Sequence, residues 1–499
     1  MKRKIIISVI AFMFIGFAQA QKNGAQLFND HLLHEIRFEN TDTNIYINSK
    51  NYQQVKMYFD GSLVDSVGFK RKGNISGYPS TNKYGIKIKT NKYVQGKKYD
   101  GIKEFTLHMN FQDPTMLREK LSYDICMNMG LYSLRTAFAK VYINDIYWGL
   151  FTIVEGKDEM YKQVFDHRDM DAIESLDFGN MCFISQNPSD YDYEQNGGNP
   201  TYVLENGEPT TAWDRFALMI DKVNNTPDIQ YLDTASIYLN LEGFFKYQAI
   251  NVYLMNMDSY ISFLGNQIYV YDELEKLWQV TPWDFNASFG LWNTNNFSPN
   301  SYPILPNSIA QGCIATKIND FELFQQYYYD AMCELNYTVG DTQEYFNRID
   351  DLKNQIKQAV YEDTRKVISN DDFDEGIEYG YHDLFGENQP ALKTFITERF
   401  ELIQNGLNNI GYHCTTATNE LNHKNLSVYP NPASHFIQLG SPIDNEQGMQ
   451  LEIYNSYGQV VYSEKYKGSS VSISSLSTGV YVLVLKSENE KWQTKLIKN

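Results

Sequence analysis

The hydrophobic periodicity of this chain changes once, and that change limits what it can fold into. From about residue 35 to 156 apolar and polar residues mostly alternate, as in Tyr84-Gly85-Ile86-Lys87-Ile88-Lys89. This is the two-residue repeat of strands with one wet face. From Thr211 onward the repeat lengthens to that of helices, over residues 213–224, 241–255, 321–336, 343–367 and 389–407. A β-rich part at about 35–156 followed by a helical part at about 211–410 predicts an α+β body.

Two local exceptions sharpen the pattern. Within the strand region, Asp113 reads as a helix N-cap with Pro114 in the first turn. Leu117, Leu121 and Ile125 then recur every four residues until Gly130 stops the run. Within the helical region, residues 267–271 and 277–280 form a β-hairpin pattern around a turn at Asp272-Glu273. Residues 179–209, rich in Asn, Gly, Asp and Tyr, read as a long surface loop.

The two ends differ from this body, whose expected extent is 21–414. Residues 1–20 read as a signal peptide, with Lys2-Arg3-Lys4, an apolar run to Phe17 and the small-x-small site Ala18-Gln19-Ala20. That run is shorter than the roughly 20 residues that span a bilayer, and no later stretch is long and apolar enough, so no transmembrane segment is expected. Residues 415–425 are polar and linker-like, and 426–499 carry short alternating strands punctuated by Pro and Gly, as in a small β-sandwich. The five cysteines lack CxxC spacing, which argues against a zinc ribbon or a redox motif and allows two disulfides at most.

The chain has 43 basic and 61 acidic residues, a net charge of -18, which repels nucleic acid. Against that background, residues 65–103 hold ten basic residues and only two acidic ones, Asp65 and Asp100. The island contains the glycine-bearing turn Lys70-Arg71-Lys72-Gly73-Asn74-Ile75-Ser76-Gly77 and the strand lysines Lys87 and Lys89, which suit a polyphosphate. Oxygen-bearing residues collect later, in Asn256-Met257-Asp258, Asn266 and Pro282-Trp283-Asp284-Phe285-Asn286, where hard oxygen ligands would suit a divalent cation. A clamp of basic residues, carboxylates for Mg²⁺ and a carboxylate near an acceptor hydroxyl are the three parts of a phosphoryl-transfer site. Stacking on the many aromatic residues suggests glycan binding as a rival, although aromatic residues more often fill a core, and paired carboxylates suggest a glycosidase, which would leave the basic island without a use.

Five ordered blocks of the body resemble the CotH family, the spore-coat protein H-like atypical kinases. They are Arg71 to Ser76, Leu117-Arg118-Glu119-Lys120-Leu121, Asn144 to Glu155, Asn251 to Asp258, and Pro282 to Gly290. The resemblance implies a two-lobed atypical protein-kinase-like body that transfers phosphate from ATP, with Mg²⁺, to Ser or Thr of secreted or cell-surface proteins. Carried onto this sequence, it makes Asp258 the acceptor-side carboxylate and Asp284 the principal Mg²⁺ ligand, with Asn286 as a further oxygen donor beside Asn266, which the spacing of oxygen-bearing residues suggests. Arg71 and Lys87 would clamp phosphates, with Lys89 as the alternative. Glu155 would face the nucleotide or hold a lysine, and Glu119 is a rival lysine partner. The family commonly has a second acid where Asn286 stands, so a weakly active or inactive pseudokinase acting in surface binding or assembly is the alternative reading.

The C-terminal segment resembles the type A sorting domain of the type IX secretion system. The resemblance rests on Val428-Tyr429-Pro430-Asn431-Pro432-Ala433, Ile453 to Gly458, Leu476 to Tyr481 and the closing Lys495 to Asn499. It implies an immunoglobulin-like β-sandwich read by the secretion machinery, and a protein that crosses the periplasm to be secreted or displayed on the cell surface.

Overall fold

The computed structural model describes residues 23–414 except 166–169, 177–178, 197–201, 263–264, 274, 292–298, 306–311, 341 and 383–387. Beyond these it describes 423–498 except 426, 430, 432, 441–448, 455–459, 467–469, 477–478 and 487–490. The expected signal peptide lies outside the described residues, as do most of the linker and parts of the sorting-domain motifs, including Pro430, Pro432 and Asn499.

Seven strands close into a barrel in the order β1-β2-β3-β4-β5-β7-β6. They are β1 (Leu33–Glu39), β2 (Gln53–Phe59), β3 (Ser62–Tyr78), β4 (Lys83–Lys89), β5 (Glu104–His108), β6 (Thr136–Ile143) and β7 (Ile146–Glu155). All neighbours are antiparallel except β1 and β6, whose parallel pairing completes the closure. Closure removes edge strands, and alternation fills the interior: Ile36, Phe38, Met57, Phe59, Val67, Phe69, Ile86, Ile88, Phe105 and Leu107 are all buried in one core. Residues of opposite parity face outward, so basic residues of β3 and β4 that alternate with this core lie on the outer face.

A short helix α1 (Thr43–Asn48) joins β1 to β2, and α2 (Arg118–Asn128) lies between β5 and β6. The expected N-cap Asp113 is displaced: α2 begins five residues later. Asp113 instead accepts from Thr115 N and Arg118 Nη1 through Oδ1, at 2.9 and 2.5 Å, and from Arg118 N through Oδ2, at 2.9 Å. It builds the turn that leads into the helix, and Gly130, at φ 78°, ends the run as expected.

After the barrel come α3 (Lys157–Phe165), β8 (Ala172–Ser175), α4 (Tyr193–Asn196), β9 (Tyr202–Asn206), α5 (Pro209–Asn225), α6 (Asp228–Tyr238) and α7 (Leu241–Tyr253). The hairpin β10 (Gln267–Asp272) and β11 (Leu277–Thr281) joins β8 and β9 in a four-stranded sheet of order β11-β10-β8-β9. The stretch read as one long loop thus contributes a helical turn and a sheet strand. The remaining helices are α8 (Glu322–Thr338), α9 (Thr342–Glu362), α10 (Asn370–Glu378) and α11 (Leu392–Asn409), with a small ladder between β12 (Tyr381–His382) and β13 (Asn388–Gln389). The barrel strands occupy residues 33–155 and helices predominate after residue 209, and barrel and helices belong to one compact unit that ends at Tyr412.

The C-terminal unit has a five-stranded sheet of order β14-β21-β20-β17-β18 and a three-stranded sheet β15-β16-β19. Its strands are β14 (His423–Asn425), β15 (Ser427–Tyr429), β16 (Phe436–Gly440), β17 (Gln450–Tyr454), β18 (Val460–Lys465), β19 (Val471–Ser472), β20 (Gly479–Lys486) and β21 (Lys491–Lys498). Ile437 and Val471 from one sheet share a core with Leu451, Ile453, Leu483, Leu485 and Leu496 from the other. Residues His423–Asn425, expected in the linker, already pair with β21.

Candidate functional site

The outer face of β3, β4 and β5 is organised in rows set by strand register. Lys70 pairs with Lys87, and Lys87 with Thr106; Lys89 pairs with Glu104; Lys72 pairs with Gly85, which lies in line with His108. With no side chain at Gly85, Lys72 crosses β4 and its Nζ donates to His108 Nε2 at 2.5 Å. His108 Nδ1 in turn lies 2.8 and 2.9 Å from the two carboxylate oxygens of Glu119, in the first turn of α2. Burial holds the Lys72 ammonium below the usual lysine range, although Asp284 and Glu119 oppose the shift.

Helix α2 also fixes the acidic turn. Ser122 Oγ and Ser288 Oγ are 2.6 Å apart, and the Tyr123 and Phe285 rings meet edge to face at 5.8 Å. These contacts set the turn Phe285–Ala287, with Asp284 at its start, against the helix that carries Glu119. Asp284 has φ 54° and ψ 62°, a left-handed conformation that a residue with a side chain adopts at a cost, and such strain gathers at functional sites. Its carboxyl is pushed above the usual range first by burial and then by Glu119, while the Lys72 and Lys157 ammonium groups pull it back. Two ammonium groups approach the Trp283 ring, Lys157 at 4.3 Å and Lys72 at 5.3 Å from its centroid. Lys157 itself is held by Glu174 at 2.8 Å and Glu205 at 3.2 Å.

Asp258 follows α7 in a turn shaped by asparagines. Asn256 Nδ2 donates to Asn251 Oδ1 at 3.1 Å, and the Asp258 amide donates to Asn256 Oδ1 at 3.3 Å. Asp258 Oδ1 accepts from Asn266 Nδ2 at 2.6 Å. The end of α7, just before this turn, is anchored by the buried Arg399 of α11, which donates to the carbonyls of Val252 and Tyr253 and also to those of Pro299 and Tyr302, at 2.9 to 3.2 Å. A bond from Gly290 N to Leu254 O, 3.2 Å, ties this turn to the segment after Asp284.

The sequence-predicted residues therefore separate into groups. Asp258 and Asn266 are in direct contact, and Asp284 and Asn286 share one turn facing Lys72. Lys87 and Lys89 lie on the same sheet face as Lys72, both paired with Glu104, Lys89 at 3.1 Å. Arg71 lies elsewhere: it pairs in register with Ile86 on the interior face, donates to Ile47 O at 2.6 Å and covers the Tyr84 ring at 3.8 Å. Glu155 holds an arginine, not a lysine, with Arg135 Nη2 at 2.5 Å and Nε at 3.0 Å. The residues the sequence reading passed over are Lys72, named within the turn but given no role, His108 and Lys157. Strand parity could have found Lys72, since it shares phase with Lys70 whereas Arg71 shares phase with the interior Phe69 and Val67.

Two features bear on whether a metal and a nucleotide fit. Asn286 Oδ1 is buried with no hydrogen-bond partner among the described residues, an oxygen left ready for a ligand. Among the described residues no group of three His, Cys, Asp or Glu side chains could hold a metal ion. Mg²⁺ is commonly held by one or two carboxylates together with water and substrate phosphates, so one aspartate and an asparagine beside a basic sheet face fit a phosphate-bound Mg²⁺ better than a metal held by protein alone.

A closed barrel with a basic outer face, opposed by a buried acidic turn on a helical half, defines the class to which the site belongs. The chain is a member of the CotH kinase protein family, whose model matches residues 69–403, and residues 427–499 match the model for a secretion system C-terminal sorting domain. The first match covers more than half of the chain. Among curated proteins, the inner spore coat protein H of Bacillus subtilis is 26% identical over 203 residues, 40% of this chain and 53% of the relative. The invasin CotH2 of Rhizopus delemar is 21% identical over 332 residues, 58% of this chain and 51% of the relative. An ulvan lyase, NLR42, of Nonlabens ulvanivorans is 33% identical over 78 residues, 15% of this chain and 14% of the relative. The chain spans about half the length of the two CotH-type relatives. The sorting domain implies the type IX secretion system and points to secretion or the cell surface; no helix among the described residues is long and apolar enough to cross a membrane.

Proposed function

We propose that this protein is an exported atypical kinase that transfers phosphate from ATP to Ser or Thr hydroxyls of secreted or cell-surface proteins. The observation that carries the reading is the convergence of Lys72, Glu119 and the strained Asp284, with Asp258 held by Asn266 on the neighbouring turn. In this reading the barrel and the helices act as the two lobes of a kinase-like body. The N-terminal segment 1–20 directs passage through the periplasm and the sorting domain completes delivery.

Lys72 would bind phosphate oxygens from the barrel side, with Lys87 and Lys89 exchanging Glu104 for phosphate along the same face. Asp284 Oδ and Asn286 Oδ1 would hold the metal, which when bound supplies charge neutralisation for the transferring group. Asp258 would orient the acceptor hydroxyl and take its proton, its carboxylate fixed by the Asn266 amide. Arg71 and Glu155 support the barrel in this scheme and do not touch nucleotide.

The test is transfer of labelled phosphate from ATP to the protein's host-surface fraction. Wild type should label Ser or Thr, and Asp258→Ala and Asp284→Ala should not. The neutral Asn286, where a second acid would strengthen metal attraction, favours a second reading: a weak or inactive pseudokinase that binds Mg²⁺-nucleotide without transfer. Metal-dependent binding with no labelling would select it.

A further inference from the structure

We infer that His108 is a positioning residue whose imidazole, and not a direct contact with Glu119, holds Lys72 in the cleft until phosphate arrives. This rests on the reading of the site as one for Mg²⁺-nucleotide.

The tautomer follows from the partners. An ammonium can only donate, so His108 Nε2, 2.5 Å from Lys72 Nζ, must carry the lone pair. The proton is then on Nδ1, which donates to the Glu119 carboxylate, 2.8 and 2.9 Å away. Thr106 Oγ1, 3.1 Å from Nε2, is the other polar neighbour on the strand. Glu119 is nearly fully buried, so the carboxylate that fixes the ring is itself fixed. Gly85 supplies the space: a Cβ built there would already be 3.6 Å from the Lys72 Cβ and 3.4 Å from its carbonyl oxygen.

This arrangement has an energetic consequence. A hydrogen bond between an ammonium and a neutral acceptor is weaker than one to a carboxylate or a phosphate, by roughly a factor of two. A lysine parked on imidazole therefore gains more on moving to a phosphate than a lysine already paired with glutamate would. The imidazole keeps the buried ammonium satisfied in the empty cleft without competing strongly for it afterwards.

The experiment uses full-length protein and measures the MgATP dissociation constant by titration calorimetry for wild type and three variants. His108→Gln can place Oε1 near the Nε2 position and keep an acceptor for Lys72. His108→Asn can keep the donor to Glu119 but offers Lys72 no acceptor, so the ammonium turns to Asp284 or Glu119, carboxylates that compete with phosphate for it. His108→Ala removes both. Affinity should fall about tenfold in His108→Asn and His108→Ala and change little in His108→Gln, and added imidazole should restore His108→Ala. Where His108→Ala does not fold, the Asn and Gln pair decides. Equal affinities in those two variants, or a loss in His108→Ala that imidazole does not restore, overturn the inference while leaving the nucleotide site intact. A wild type that binds no MgATP overturns both the inference and the reading beneath it.

Discussion

Asn266 is joined to Asp258 twice, by its side-chain amide at 2.6 Å from Asp258 Oδ1 and by its backbone N–H at 3.2 Å from the Asp258 carbonyl. The double tie fixes where the carboxylate points. If Asp258 serves the acceptor hydroxyl as proposed, Asn266→Ala is expected to retain the fold and lose about 100-fold in phosphate transfer, because the carboxylate would be displaced by about an ångström. Steady-state kinetics alongside a melting curve separates this from unfolding.

Adjacent basic residues on β3 should behave oppositely. Lys72→Met removes the cation that acts most strongly on Asp284 and should weaken MgATP binding by about tenfold or more. Arg71→Ala should leave binding nearly unchanged and lower thermal stability, since Arg71 serves Ile47 O and the Tyr84 ring. At Gly85, alanine fits in ordinary van der Waals contact, whereas leucine fills the path of Lys72 and should mimic Lys72→Met.

The pH dependence of stability should carry the mark of Asp284. Its folded carboxyl is pushed above the unfolded value of 3.8, first by burial and then by Glu119. The protonated form is therefore favoured in the fold; that contribution is complete below the unfolded value and is lost as pH rises through the folded one. Asp284→Asn should remove this loss and melt higher than ligand-free wild type near neutral pH, with the difference vanishing in acid. Melting temperatures across that range, without metal or nucleotide, check both the direction and the convergence.

Arg399 predicts a purely structural effect. Burial lowers its pKa to about 10, and its guanidinium satisfies four carbonyls around the end of α7. Arg399→Ala should cost about 3–5 kcal/mol in chemical denaturation.

A disulfide between Cys182 and Cys313 closes a sequence separation of 131 residues, and the segments beside its two cysteines hold Tyr260, two positions from Asp258. The Tyr260 hydroxyl donates to Asn180 O at 2.9 Å and accepts from Ile314 N at 3.2 Å. The double variant Cys182→Ser with Cys313→Ser should lose about 2–4 kcal/mol of stability and reduce transfer activity more than nucleotide affinity. Denaturation and binding measured on the same preparation test that split.

Much of this was legible in the sequence, for identifiable reasons. The period change placed strands and helices, because a half-buried strand and an amphipathic helix bury different residues. Asp258, Asn266, Asp284 and Asn286 can be proposed as site residues from the sequence because oxygen-bearing residues cluster there at strand and helix ends. Arg71 was misplaced because charge was read without parity: one residue along a strand reverses the face, and Arg71 enters the barrel. His108 escaped because its role depends on a gap at Gly85 and on a helix glutamate eleven residues away. Barrel closure through the parallel pairing of β1 with β6 joins strands about 100 residues apart, which no local pattern reports. For Glu155 the sequence suggests the nucleotide or a lysine as partner, whereas Arg135, next to the start of the neighbouring strand, pairs with it, a contact set by register that no local pattern reports.

The most direct test of the account is calorimetric titration of the full-length protein with ATP, with and without Mg²⁺, in wild type and Asp284→Ala. Saturable one-to-one binding that needs Mg²⁺ in wild type and is lost in Asp284→Ala is the predicted result. Absence of nucleotide binding by folded wild type, or binding that is indifferent to both Mg²⁺ and Asp284, would contradict it.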